Sequence, residues 1–254
     1  MESQENTQNT VPFDIWRTSG TTEHIGGVFA TQRLLELCHI TPDQTVLDLG
    51  CGTGYTSCYL AGKHHARVVA MDISPTSTQG AYSRTSLEQV SDRVAVLCAD
   101  AHHLPFAPHT FDAVIAESVL IFCQAERIAS EAYRVLKRGG IFGDNELALV
   151  GSLPDGLQTL LLDTLGIHAF SATDWRLMFE KAGFTEVAST ARKMSILEQV
   201  ISHIKVDGVA GYFTALVKGL SDKEIRHVFV NREMLRTARR FSHFIGYHIY
   251  VGEK

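Results

Sequence analysis

The segment VLDLGCGTGYTS, residues 46–57, constrains the fold of this chain more than any other stretch. A short apolar run breaks at three alternate glycines, Gly50, Gly52 and Gly54, and a helix-like segment, 55–62, follows. A glycine turn between a strand and a helix lets the backbone come close to a ligand, at the edge where open α/β sheets bind theirs. The same alternation continues downstream. RVVAMD (67–72), RVAVLCAD (93–100) and FDAVIAES (111–118) are β-branched apolar runs, each with an acidic residue at or near its C-terminal end. Runs without polar alternation predict parallel strands covered on both faces. AERIASEAYRVLKRGG (125–140) predicts a helix with a basic last turn stopped by glycine, and 140–149 a fifth strand. The expected class is α/β, a doubly wound sheet.

Flanking segments fill out the domain. Residues 1–12 read as a disordered polar tail, leaving 13–254 as one domain. Apolar residues at helical spacing predict a leading helix over 25–40. Beyond residue 150, Thr173 opens a helix closed by Gly183, a strand covers FTEVAST, and FIGYHIYVG (244–252) is a terminal strand. The mostly helical 194–240 exceeds a simple connection and predicts a lid insertion or a homodimer interface.

Bulk properties narrow the partners. A net charge of −5 gives no footprint for nucleic acid or an anionic membrane, and Arg232, Arg236, Arg239 and Arg240 read as a solvated helix face. The N-terminus lacks a secretory pattern and no apolar run reaches bilayer length, so a cytoplasmic protein is expected. Five cysteines without C-x-x-C pairing predict thiols rather than disulfides or a metal site, and Cys123 has no partner cysteine placed beside it. Trp16 and Trp175 read as core.

Two ligand classes use a glycine turn of this kind, dinucleotides and S-adenosylmethionine. The dinucleotide fingerprint needs glycine where this chain has Tyr55, and Asp48 sets a carboxylate before the loop that repels pyrophosphate and attracts an ammonium. Asp72, at the end of the next strand, can accept both ribose hydroxyls of either ligand. Asp100 can take an adenine amino group, with the Ala101 backbone beside it. Asp72 or Ser74 alone could be a helix cap, and Asp100 alone an Asx-turn.

On LDLGCGTG (47–54), AMDIS (70–74), ADAHHLPF (99–106), FDAVIAES (111–118) and LKRGGIF (136–142), the chain resembles the class I methyltransferases with a Rossmann-like fold, notably the ubiquinone/menaquinone and sterol enzymes. The resemblance covers roughly residues 20–190. It implies a seven-stranded sheet whose last strand is antiparallel, and S-adenosylmethionine as cofactor. It places the glycines under the methionine part, Asp72 on ribose, Asp100 on adenine, and Glu117 at the methionine portion or the substrate. The expected cofactor set is Ile25, Asp48, Gly50, Cys51, Gly52, Thr53, Gly54, Asp72, Ile73, Asp100, Ala101 and Glu117. EHIGGVFAT (23–31) is similar to the helix that covers the sulfonium in phosphoethanolamine-type enzymes. Those enzymes carry a histidine after the fourth strand, where this chain has Phe122.

The expected activity is methyl transfer to a small molecule. Candidate acceptor-side residues are His24, Ser118, Phe122, Asn145 and Glu146, with Glu117 and His168 as candidate catalytic groups. His168 is otherwise a structural histidine, and Asn145 and Glu146 the end of a strand; His102 and His103 read as packing or solvent contacts. The rival functions are a nicotinamide-dependent oxidoreductase and a non-catalytic cofactor-binding subunit.

Overall fold

A computed structural model describes residues 24–151, 156–221 and 242–254. The expected tail 1–12, Trp16 and the Arg232–Arg240 patch lie outside the described residues. The elements run α1 (Gly27–Cys38), β1 (Thr45–Leu49), α2 (Tyr55–Lys63), β2 (Arg67–Asp72), α3 (Pro75–Leu87), β3 (Val94–Cys98), β4 (Phe111–Glu117), α4 (Ala125–Val135) and β5 (Leu136–Leu149). They continue with α5 (Leu157–Leu165), β6 (Phe170–Ser171), α6 (Ala172–Ala182), β7 (Thr185–Lys193), α7 (Ile196–Ser221) and β8 (Ile245–Glu253).

The sheet runs β3-β2-β1-β4-β5-β8-β7, with two-residue β6 pairing β5 off that path. Strands β1 to β5 pair in parallel, and β8 lies antiparallel between β5 and β7. The seven-stranded path with an antiparallel last strand is the expected architecture. Strand order reverses between β1 and β4, and the glycine turn sits at this switch point, where the strand ends part to leave a crevice.

Side-chain parity sorts the core into two layers. Leu47, Leu49, Val114, Ala116, Phe142 and Tyr250 pack one face against Ile128, Ala132, Trp175 and Phe179. Val46, Val68, Ala70, Ala113, Ile115 and Ile249 pack the other against Leu34, Leu35, Cys38 and Leu60 of α1 and α2. Asp48, Asp72, Glu117 and Asn145 have the parity of the second face, under α1. Asp144 and Glu146 have the parity of the first.

Several boundaries differ from the sequence reading. The helix expected over 125–140 stops at Val135, because Leu136 is fully buried and pairs with Phe111 as the first residue of β5. The basic residues and glycine that suggested a helix end instead form an irregularity inside β5, where Lys137 Nζ reaches Asp112 at 2.7 Å and Gly139 has φ 72°. Helix α6 starts at Ala172, since Ser171 and Asp174 form a reciprocal capping box. Asn145 and Glu146 lie inside β5, which continues to Leu149. The segment 194–240 is helical from Ile196 to Ser221 with a break at Gly208, and 222–241 lie outside the described residues. Helix α7 packs on α1, with Ser202 Oγ accepting the Val28 N–H at 3.0 Å and Lys205 Nζ 4.4 Å from the centre of the Phe29 ring.

Candidate active site

The glycine turn is built from left-handed backbone at Gly50 (φ 66°), Gly52 (φ 52°) and Gly54 (φ 81°). Their surroundings differ. A Cβ on Gly50 would lie 2.3 Å from Val119 Cγ2 and one on Gly54 3.0 Å from Ala81 Cα, whereas one on Gly52 would meet nothing within 4 Å. Gly50 and Gly54 therefore serve close packing, while Gly52 borders open space. The Thr53 hydroxyl next to it is buried with no hydrogen-bond partner, and the Cys51 N–H donates to the Met71 carbonyl at 3.0 Å.

Asp72 organises this turn. One carboxylate oxygen accepts the Gly52 N–H at 3.0 Å and the other the Ser74 N–H at 2.8 Å, tying the loop after β1 to the loop after β2. Ser74 itself caps α3 by accepting the Ser77 N–H. The helix-cap and ligand readings of Asp72 are thus compatible, because a carboxylate offers about four acceptor sites and these bonds use two. Beside it, Ile73 is 55% exposed, an apolar face at the rim of the crevice.

Asp48 is buried under the loop and accepts a hydrogen bond from the Ser57 hydroxyl of α2. Burial pushes its carboxyl up to about 7, against the Ser57 bond, with the Glu117 and Asp72 charges adding to the rise. An acid whose pKa rises on folding holds its proton more tightly in the folded state. The stability this gives is present below the ordinary value of 3.8 and is lost as pH rises through about 7. Urea unfolding is therefore expected to show stability falling from about pH 4 to about pH 8, and Asp48→Asn to make that slope shallower between about pH 4 and about pH 7. The upper part remains, because burial also pushes Glu146 up to about 8. An unchanged slope in Asp48→Asn would contradict the assignment.

Glu117 is buried and held from three sides. Its oxygens accept the Thr31 hydroxyl of α1 and the Thr56 hydroxyl of α2, both at 2.8 Å, and His24 Nδ1 lies 3.4 Å away. The residue bridges α1 to the first turn of α2. Thr31, Thr56 and Ser57 were not singled out from sequence. Their signal was present in Thr31, a polar residue in a row of buried apolar ones, Val28, Ala30, Leu34 and Leu35.

The acceptor-side candidates separate. Ser118 has φ 58°, and its Oγ accepts the Ile25 N–H at 2.9 Å. Asn145 is buried and donates through Nδ2 to the Ile25 carbonyl at 2.8 Å, while its Oδ1 has no partner. Glu146 lies on the other face, where its carboxylate accepts the N–H groups of Val119 and Leu120 at 2.7 Å and Ile121 at 3.4 Å. It holds the short 3-10 turn Leu120–Phe122. Phe122 is half-buried in that turn. His168 is exposed, and its backbone N–H donates to the Ile121 carbonyl at 2.8 Å.

Asp100 is exposed and forms the Asx-turn: it accepts the His102 N–H at 2.9 Å and pairs with His102 Nδ1 at 2.7 Å. These bonds, the backbone one first, hold its carboxyl below the usual range. His102 thus orients Asp100, a role its sequence position did not show. Ala101 is half-buried in the same turn.

A separate cavity of about 600 Å³ is lined by Pro108, His109, Tyr133, Arg134, Arg138 and Lys254. It flanks the start of β4 and the end of α4, away from the glycine turn, and Lys254 Nζ there already donates to the carbonyls of Tyr133, Arg134 and Leu136. No cluster with metal-ligand character exists among the described residues, and no described helix is long and apolar enough to cross a membrane.

The switch-point crevice, its glycine turn and its strand-end acids define a site of the nucleotide-cofactor type. Comparisons with known proteins place it further. Residues 47–143 match the methyltransferase domain family. The uncharacterised methyltransferase YodH of Bacillus subtilis is 30% identical over 177 residues, covering 69% of this chain and 73% of its own. Methyltransferase GfsG of Streptomyces halstedii is 34% identical over 126 residues, covering 49% and 45%. Among solved structures, a Thiobacillus denitrificans methyltransferase in complex with S-adenosylhomocysteine superposes with a TM-score of 0.72 at 17% identity, covering 94% and 96%. The [4+2]-cyclase SpnF superposes at 0.74 with 21% identity, covering 96% and 92%.

This chain belongs to the class I S-adenosylmethionine-dependent methyltransferases. Its cofactor is S-adenosylmethionine, and the residues present fit that group: an open cradle at Gly52, an unpartnered Thr53 hydroxyl and a buried acid at Asp48 that accepts a hydrogen bond from the Ser57 hydroxyl. Neither the oxidoreductase nor the partner-subunit alternative draws support from these relatives.

Proposed function

We propose that the chain transfers a methyl group to a small-molecule acceptor bound beside the leading segment His24–Gly27 and the turn 118–122. The observation that carries the reading is the open space at Gly52, whose N–H is held by Asp72. S-adenosylmethionine supplies the electrophilic methyl group on its sulfonium. In this reading the glycine turn and Asp48 hold the methionine end, the free acceptor sites of Asp72 take the ribose hydroxyls, and Ile73 and Asp100 meet adenine. Cys51, Thr53 and Ala101 contribute through backbone and the Thr53 hydroxyl.

Catalysis then consists mainly of alignment, which is worth roughly 7–11 kcal/mol when nucleophile and electrophile are held in line. Glu117 is an orienting residue here, since it ties the leading helix to the cofactor loop. Glu117→Gln retains one acceptor and adds a donor to which the threonine hydroxyls can rotate, so the fold should survive with about 1 kcal/mol lost. The cofactor KM is expected to rise with kcat little changed. A collapse of kcat at unchanged cofactor affinity would make Glu117 a general base instead.

The fold alone does not fix the reaction, as a cyclase on the same architecture shows. The deciding experiment incubates the protein with methyl-labelled cofactor and a panel of hydroxyl, amine and carbon-acid acceptors. Label in one acceptor class, with matching S-adenosylhomocysteine, is expected. Binding of cofactor with no label in any class would favour a non-catalytic role.

A further inference from the structure

The geometry points to Ser118 and Asn145 as a two-sided clip that locks the leading segment over the cofactor crevice, making them positioning residues and not acceptor ligands. The inference rests on the site reading above and adds a device to it. Both polar atoms of one residue, Ile25, are gripped by side chains from neighbouring strands: its N–H donates to Ser118 Oγ at 2.9 Å and its carbonyl accepts Asn145 Nδ2 at 2.8 Å. The Ser118 N–H in turn donates to the Asn145 carbonyl at 2.8 Å, which closes a ring of three hydrogen bonds. A segment held by only one of these bonds could pivot. Held by both, the two peptide units that flank the Ile25 Cα are each anchored.

The surroundings are built for this grip. Ser118 adopts φ 58°, an uncommon backbone state for serine that persists where neighbouring structure imposes it. Glu146 imposes it from the opposite face by taking the amides of Val119, Leu120 and Ile121. On the other side of Ile25, Gly26 and Gly27 both have positive φ. A Cβ on Gly26 would lie 2.6 Å from Ala30 Cβ, and one on Gly27 2.2 Å from Ser202 Oγ. Glycine here leaves room for Ala30 of α1 and Ser202 of α7, and the chain then enters α1, whose Thr31 is bonded to Glu117. Opening the segment requires release of Ile25 at both ends.

The test uses Ser118→Gly, which removes the hydroxyl and suits a positive φ, and Asn145→Leu, which keeps volume without polar atoms or added charge. Two quantities are read in the full-length protein: hydrogen exchange at the Ile25 amide, and the dissociation rate of S-adenosylhomocysteine. Each variant should speed both by about tenfold, as loss of one buried hydrogen bond implies. The double variant should exceed either single by less than twofold, because a segment released at one end is already free. Multiplying effects would show two independent contacts and overturn the clip. Faster exchange with unchanged dissociation would show that the segment does not retain cofactor and would also overturn it. If the unaltered protein binds no S-adenosylhomocysteine, the site reading fails and retention with it, while exchange at Ile25 still decides whether the grip exists.

Discussion

Replacing Gly52 with valine should abolish cofactor binding while leaving a folded protein. A side chain at this position meets no protein atom within 4 Å, so its cost to the fold is confined to the left-handed backbone at φ 52°. That cost is about 1–2 kcal/mol and is larger for a β-branched residue than for alanine. The new methyl groups instead fill the space reserved for ligand. Affinity for S-adenosylhomocysteine should fall on the order of a hundredfold or more, about 2.7 kcal/mol. Gly50→Ala is the contrasting case. Its Cβ would sit 2.3 Å from Val119 Cγ2, so it should destabilise the fold itself. Calorimetric titration and thermal melting together separate the two outcomes. Gly52→Val binding like the unaltered protein would remove the glycine turn from the site.

Asp72 carries the second large effect, and the structure makes it larger than a ribose contact alone implies. Both of its oxygens already accept backbone N–H groups, from Gly52 and Ser74. Asp72→Ala should therefore lose the ribose acceptor and also untie the glycine turn from the loop after β2. Charge-assisted bonds of this kind are worth roughly 1.5–3 kcal/mol each. Affinity should fall by more than about tenfold and the melting temperature should drop in the absence of ligand. Asp72→Asn is not expected to rescue either property, since its NH₂ would face one of the two N–H donors. Full binding by Asp72→Asn would show that a single oxygen suffices and would contradict this arrangement.

The strands were legible because burial on both faces writes near-continuous apolar runs, and β2 was read to the residue. The misreading fell at the end of α4. Basic residues and glycine after Val135 resemble a helix stop, yet Leu136 is drawn into the sheet by pairing with Phe111, a contact across 25 residues that no local pattern encodes. The same limit governed the site. The acids at the strand ends were visible one by one, but their faces follow from strand parity. Adjacent residues Asn145 and Glu146 looked alike in sequence and point to opposite layers, one gripping Ile25 and the other holding 119–121. The donors that satisfy buried acids, Thr31 and Thr56 for Glu117 and Ser57 for Asp48, come from helices that meet the sheet only in three dimensions.

The acids around the loop also set the choice between ligand classes. A pyrophosphate beside the ionised form of buried Asp48 would face like charge, whereas a nearby ammonium or sulfonium would favour that ionised form and be stabilised by it. Calorimetric titration of the purified protein with S-adenosylmethionine and, separately, with NADH tests this most directly. Saturable one-site binding of S-adenosylmethionine that Gly52→Val removes, and no heat from NADH, is the expected result. Saturable NADH binding, or S-adenosylmethionine binding that survives Gly52→Val intact, would contradict it.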